Sequence, residues 1–208
     1  MNLIVDYRKA IHPQCGKEVK EYKDIIMTPF YTTEFCDELV EMAKFYSEKF
    51  TADIIYAGVD GVSDDSPWGS LYFSRISQFL FENYCEHYKK YICPIIEKHF
   101  YPERIGGWFS PMIIKYSKPG QNVALHSDAS SFTLNVKLNT EFEGCELEFP
   151  RQDWSNKDIP KGWCFIWPST NTHPHKAEPL ISGTKYSLVS WTHPTPWSAD
   201  QSGGSIFY

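Results

Sequence analysis

The sequence is short of basic charge: 20 Lys and Arg stand against 26 Asp and Glu, a net charge of −6. It lacks the surplus of positive charge that neutralises phosphates, so no nucleic-acid partner is expected. Long hydrophobic runs are also missing. None approaches the length of a membrane span, so no membrane partner is expected either. The first twenty residues hold one short apolar patch at Leu3–Val5 and then turn polar, which is not the pattern of a secretory signal. The six cysteines, at 15, 36, 85, 93, 145 and 164, form no C-x-x-C pair. Scattered in this way they read as reduced, mostly buried thiols, and the expected setting is cytoplasmic, in a cell or an infected cell. Internal repeats and low-complexity tracts are absent.

What is present is ordinary globular material with one excess. Apolar residues make up 42% and charged residues 22% of 208 positions, enough for one large domain with its own core. Aromatics reach 16%, from 14 Phe, 13 Tyr and 7 Trp, which favours a sheet-rich core.

The chain divides into a polar segment over 1–24, a domain over 25–194 and a tail over 195–208. Ile25, Ile26 and Met27 form a short strand ended by Pro29. Thr33 reads as an N-cap, and Phe35, Leu39, Met42, Phe45 and Tyr46 recur at helical spacing, which predicts a helix over 34–49. Residues 52–57 read as a strand and 58–69 as a loop. A long helix is predicted from Ser77 to Phe100, kinked or split by Pro94. After Pro102 short apolar or alternating runs follow at 108–116, 131–138, 145–149, 162–167 and 184–192. In 131–138, Phe132, Leu134, Val136 and Leu138 alternate with Ser131, Thr133, Asn135 and Lys137, the pattern of a half-buried strand. The architecture expected is α+β, with N-terminal helices packed on a C-terminal double-sheet core of sandwich or jelly-roll type.

The chemistry concentrates in 116–193. His126-Ser127-Asp128 is an H-x-D, and residues i and i+2 on a strand share a face. His173-Pro174-His175 follows downstream, and strand parity lets either histidine join them. Two His and one carboxylate on one side of a metal suit non-haem Fe(II) with O2 chemistry, although tetrahedral zinc takes the same side chains. Lys185, ten residues past His175, is a cation suited to the distal carboxylate of 2-oxoglutarate. Ser187 shares its strand face.

The surrounding text, HSDASSFTLNVKLN, EGCELEF, PKGW and THPHKAEPLISGTKYSLVSWTHP, resembles the catalytic domain of the procollagen-lysine 2-oxoglutarate 5-dioxygenases, the lysyl hydroxylases. PFYTTEFCDELVEM and FLFENYCEHYKKYICPIIEKHFYP resemble that family's opening strand and helices. The resemblance implies a double-stranded β-helix, a jelly-roll and cupin-like core. It implies Fe(II) held by His126, Asp128 and His175, the second histidine of the T-H-x-H. It implies 2-oxoglutarate as cosubstrate, anchored at Lys185, where the family usually has Arg; lysine keeps the charge and loses the bidentate fork. Tyr116 and Asn135 would join the cosubstrate site, with O2 as oxidant and ascorbate as reductant. The products would be succinate, CO2 and a hydroxylated C–H, most simply of a peptidyl lysine. A peptidyl proline or a free amino acid is the alternative substrate, and a homodimer is expected by the same analogy.

Two other classes remain for comparison. A nucleic-acid dealkylating oxygenase would carry an R-x-x-x-x-x-R pattern after the last histidine, and none occurs. A non-catalytic metal-binding module would have no need of the basic anchor. Trp163, Trp167 and Trp191 read as core residues, His173 as structural, and the acidic loop with Asp60, Asp64 and Asp65 as solvated.

Overall fold

A computed structural model describes residues 7–49, 69–100, 111–169 and 171–192. In chain order its elements are β1 (Lys20–Tyr22), β2 (Ile25–Pro29), α1 (Thr33–Lys49), β3 (Gly69–Tyr72), α2 (Phe73–Ile76), α3 (Gln78–His87), a π-helical turn (Tyr88–Ile92) and α4 (Cys93–Phe100). Then come β4 (Met112–Tyr116), β5 (Val123–His126), β6 (Phe132–Lys137), β7 (Phe142–Gly144), β8 (Leu147–Phe149) and β9 (Trp154–Ser155). Last are β10 (Trp163–Pro168), β11 (His175–Ala177), β12 (Leu180–Gly183) and β13 (Lys185–Thr192).

The strands form a seven-stranded sheet, β1-β2-β10-β6-β13-β4-β3, and a four-stranded sheet, β5-β11-β8-β9, with β12-β7 as a separate pair. Sequence alternation decides what each face of the large sheet meets. Leu134 and Val136 on β6, Cys164 and Ile166 on β10, and Tyr186 and Leu188 on β13 pack with Leu80, Tyr84, Tyr88 and Ile92 of the helical layer. The opposite face, with Met112, Ile114, Phe165, Trp167 and Val189, joins Leu147, Phe149 and Ala177 of the small sheet in a second core. This is the expected jelly roll with helices on one sheet. One expectation changes: β6 is buried on both faces, because Thr133 and Asn135 point between the sheets rather than to water.

Three local features differ in detail from the sequence reading. The cap of α1 is Thr32, one residue early; its hydroxyl accepts from the Phe35 amide at 3.3 Å. Ser77, where the sequence pattern starts the long helix, caps α3, its hydroxyl accepting from the Leu80 amide at 3.3 Å. The long helix widens instead of breaking. Pro94 has no amide and its ring would crowd the carbonyl four residues back. One π turn with a Cys93 amide to Tyr88 carbonyl bond precedes it and resolves the conflict. Residues 10–22 are tied into the domain: Ala10 and Cys15 are core residues, the Thr32 amide donates to the Ala10 carbonyl at 2.8 Å, and β1 pairs with β2. The strand expected at 52–57, the loop over 58–68 and the tail at 195–208 lie outside the described residues, whereas Gly69 opens β3. All six cysteines are buried and unpaired.

Gly144 ends β7 in the left-handed region, φ +76°, and a Cβ there would come within 2.4 Å of the Pro179 carbonyl oxygen. Neither the dihedral nor the space admits a side chain. Gly144→Ala is expected to cost more than about 1 kcal/mol, read as a lower urea midpoint at unchanged slope.

Candidate metal and cosubstrate site

The small sheet sets the two histidines side by side. In the β5–β11 ladder His126 is the register partner of His175, and the ring centroids are 4.4 Å apart. Asp128 follows β5 and turns its carboxylate between them, with Oδ1 3.5 Å from His126 Nε2 and Oδ2 3.6 Å from His175 Nε2. One ligand atom from each residue lies within 4.8 Å of the others.

Each imidazole is fixed from behind. His126 Nδ1 sits 2.9 Å from the Ala124 carbonyl, and His175 Nδ1 sits 3.0 Å from the His173 carbonyl. A carbonyl oxygen only accepts, so both Nδ1 atoms carry a proton, and in each neutral ring Nε2 is the atom turned to the shared point as a metal donor. Asp128 is held by Thr133, whose hydroxyl donates to Oδ2 at 2.6 Å. His175 is 4% exposed, stacked on Phe149 and edge-on to Trp167, each at 5.1 Å.

These surroundings set protonation. Burial pushes the His175 pKa down. Hydrogen bonding to Asp128 pushes that of His126 up. Burial alone would raise Asp128, but His126, His175 and Thr133 together leave its pKa below the usual carboxylate value. An ionised carboxylate beside a neutral, buried imidazole is the state that binds a divalent cation. The donor set, two imidazole nitrogens and a carboxylate, fits non-haem iron.

The trio opens one end of a cavity between the sheets. Tyr116, Asn135, Lys185 and Ser187 line the same cavity, so all seven site residues expected from sequence converge. Lys185 and Tyr116 are register partners on β13 and β4. Lys185 is 3% exposed, its ammonium donates to the Cys145 carbonyl at 2.5 Å, and it lies 5.3 Å from the Tyr116 ring. No carboxylate among the described residues forms an ion pair with it, and burial lowers its pKa from the usual lysine value. Beyond that carbonyl the ammonium meets the Cys145 side chain and the more distant Glu146 charge, and burial still outweighs them. Cys145, itself left-handed at φ +59°, aims that carbonyl from the turn after Gly144.

His173 is placed elsewhere, as its structural reading requires. Its ring is buried, with Nδ1 2.9 Å from the Thr172 hydroxyl and Nε2 donating to the Lys23 carbonyl at 3.1 Å. Sequence reasoning gave Thr133 no duty toward Asp128; the available signal was its shared strand face with Asn135. Trp167 and Trp191, read as core, also wall the cavity.

A jelly roll carrying an H-x-D…H cluster and a buried basic residue at one cavity is the arrangement of the 2-oxoglutarate–Fe(II) oxygenases. Solved structures agree on the fold. A prolyl hydroxylase from Trichoplax adhaerens, in complex with a hypoxia inducible factor oxygen degradation domain peptide fragment, superposes with a TM-score of 0.64 at 14% identity, covering 82% of this chain and 84% of that one. The viral collagen prolyl hydroxylase of Paramecium Bursaria Chlorella virus-1, solved as a 2OG complex, gives 0.59 at 16% identity, covering 82% and 96%. No family model matches the sequence. Within that class the sequence is similar to the procollagen-lysine 2-oxoglutarate 5-dioxygenases over most of its length. It is 33% identical over 185 residues to procollagen-lysine,2-oxoglutarate 5-dioxygenase 1 of Gallus gallus, which covers 82% of this chain and 24% of that protein. The chain thus spans about a quarter of the length of the curated relatives it matches.

Thr133→Val keeps the volume and removes the donor to Asp128. Metal affinity, read by anaerobic Co(II) titration, is expected to fall about 10–100-fold, with Thr133→Ser restoring it.

Proposed function

We propose that this chain is an Fe(II)- and 2-oxoglutarate-dependent hydroxylase of a peptide side chain, with peptidyl lysine as the first substrate class. The observation that carries the reading is the pairing, in one cavity, of a three-ligand cluster with a buried lysine that has no carboxylate partner among the described residues.

His126, Asp128 and His175 would hold the metal through Nε2, a carboxylate oxygen and Nε2, leaving one side of it free for cosubstrate and O2. Bound there, iron(II) with 2-oxoglutarate and O2 supplies the oxidising power to convert an unactivated C–H to C–OH, with release of succinate and CO2. The protein's share is positional. Lys185 supplies the charge for the distal carboxylate of 2-oxoglutarate, and the Cys145 carbonyl keeps its ammonium in place. Tyr116, Asn135 and Ser187 add polar contacts along the same wall. Phe149, Trp167 and Val189 exclude water from one side of the site.

The lysyl assignment rests on the sequence likeness to the procollagen-lysine dioxygenases. A peptidyl proline is the second reading, favoured by the prolyl hydroxylase structures that share the fold. The reading extends to ascorbate as reductant and to a homodimer. A cytoplasmic setting is proposed with it, supported by six unpaired, buried thiols. No helix among the described residues is long and apolar enough to cross a membrane.

The first measurement is anaerobic loading with Fe(II) and 2-oxoglutarate, followed by succinate release in air with G-x-K peptides, proline peptides and free lysine. A visible metal-to-ligand charge-transfer band with turnover coupled to the lysine peptide is the expected result. No band, with wild type behaving like His175→Ala, would sink the reading.

Lys185 gives a second test with two opposite signs. Its pKa is lowered in the folded protein, so between that value and the ordinary lysine value the unfolded chain binds the extra proton. Lys185 therefore contributes stability that rises with pH across that window, opposite in sign to the buried thiols whose raised pKa values make their own contribution fall, while 2-oxoglutarate affinity falls as the ammonium is lost. Lys185→Met is expected to remove that rising contribution, read as the pH dependence of the difference between wild-type and variant melting temperatures, and to weaken 2-oxoglutarate binding in titrations at neutral pH.

A further inference from the structure

Trp167 carries a polar atom that the fold leaves unused. Its ring is 1% exposed, stacked on Phe165 with centroids 5.4 Å apart, edge-on to Phe149 at 5.1 Å and edge-on to His175. Its Nε1–H is buried and finds no acceptor among the described residues. The same ring lines the cavity that holds the metal-ligand cluster.

The neighbours explain why the donor stays unmatched. Across the ladder from Trp167 is Thr133. The Thr133 hydroxyl is already committed, donating to Asp128 and sharing hydrogen bonds with Ser169 at 2.7 Å and Ser130 at 3.2 Å. The unmatched acceptor in the cavity, Asn135 Oδ1, belongs to the next inward position of β6, opposite Phe165 rather than Trp167. A buried donor without a partner is a net cost, and phenylalanine would serve the ring stack without it. A cavity wall is the one place where a ligand can supply the missing acceptor.

We propose that the Trp167 indole N–H is a ligand-binding donor, given to a carboxylate or keto oxygen of the 2-oxo acid bound at the His126–Asp128–His175 end of the cavity. This deepens the proposed function and rests on it. Trp167 is then a binding residue and a selector for ligands with an oxygen at that point, complementary to Lys185 at the distal carboxylate. Its ring meanwhile keeps His175 in a dry setting.

The test uses wild-type protein with indole-15N tryptophan and Zn(II) as a diamagnetic metal, titrated with 2-oxoglutarate. The Trp167 N–H resonance, assigned by its loss in Trp167→Phe, is expected to move downfield on saturation. Metal-loaded Trp167→Phe is expected to melt at or above wild type before 2-oxoglutarate is added, because the unmatched donor is gone. It should then show a smaller ligand-induced rise and about tenfold weaker 2-oxoglutarate binding. If that variant does not fold, the wild-type titration decides alone, with the resonance assigned by through-bond correlation. Saturation with an unmoved resonance, or unchanged affinity in the variant, overturns the inference and leaves the proposed function standing. Failure of the wild type to bind 2-oxoglutarate overturns both.

Discussion

The register of β5 on β11 carries the site. Side chains alternate along a strand, so a slip by one residue would turn His126 or His175 to the outer face of the small sheet. Only with His126 opposite His175 do both rings reach Asp128. Backbone carbonyls of Ala124 and His173, each two residues from its histidine, then lock the tautomers. Four short strands therefore do what a preformed metal cage does elsewhere. They bring three donors from two chain segments to one point, with the spare nitrogens already occupied.

A second constraint follows from closing two sheets over a polar interior. An inward face carrying Thr133, Asn135, Lys185 and Ser187 gives up apolar burial worth about 1.5–3 kcal/mol for each large side chain it omits. The loss is made up on the opposite face, where β6, β10 and β13 meet a helical layer through Leu134, Val136, Ile166, Leu188, Leu80, Tyr84 and Tyr88. One sheet thus has a stabilising side and a chemical side, and departures from good core packing gather on the chemical side.

Much of this was legible in the sequence because it rests on short-range patterns. The alternation over 131–138 predicts β6, Pro29 ends β2, and the helical periodicity that begins at Ser77 places α3. The H-x-D, the T-H-x-H and the lysine ten residues later converge on one cavity. What was not legible depends on the third dimension. Periodicity predicts one wet face for β6, because alternation cannot say that the polar side faces a second sheet. Parity leaves His173 and His175 equivalent; the family resemblance selects His175, and the structure adds the reason, a hairpin carbonyl that engages His173. Pro94 signals a disturbed helix without saying that a π turn absorbs it. Thr133 and Trp167 look like ordinary strand residues until their partners, or the lack of one, are seen.

The tight turn joining β1 to β2 has a reach beyond its own hairpin. Lys23 and Asp24 both sit at positive φ there, and the Lys23 carbonyl receives the His173 ring while the Lys23 ammonium caps the Gln152 carbonyl at 2.7 Å. Since the His173 main chain orients His175, a surface turn some 150 residues away in sequence is mechanically in series with the ligand cluster. A minimal catalytic unit cut from this chain at residue 25 would sever that brace. The edge strand of the large sheet thus reaches, through one turn carbonyl and one imidazole, to a ligand position on the small one.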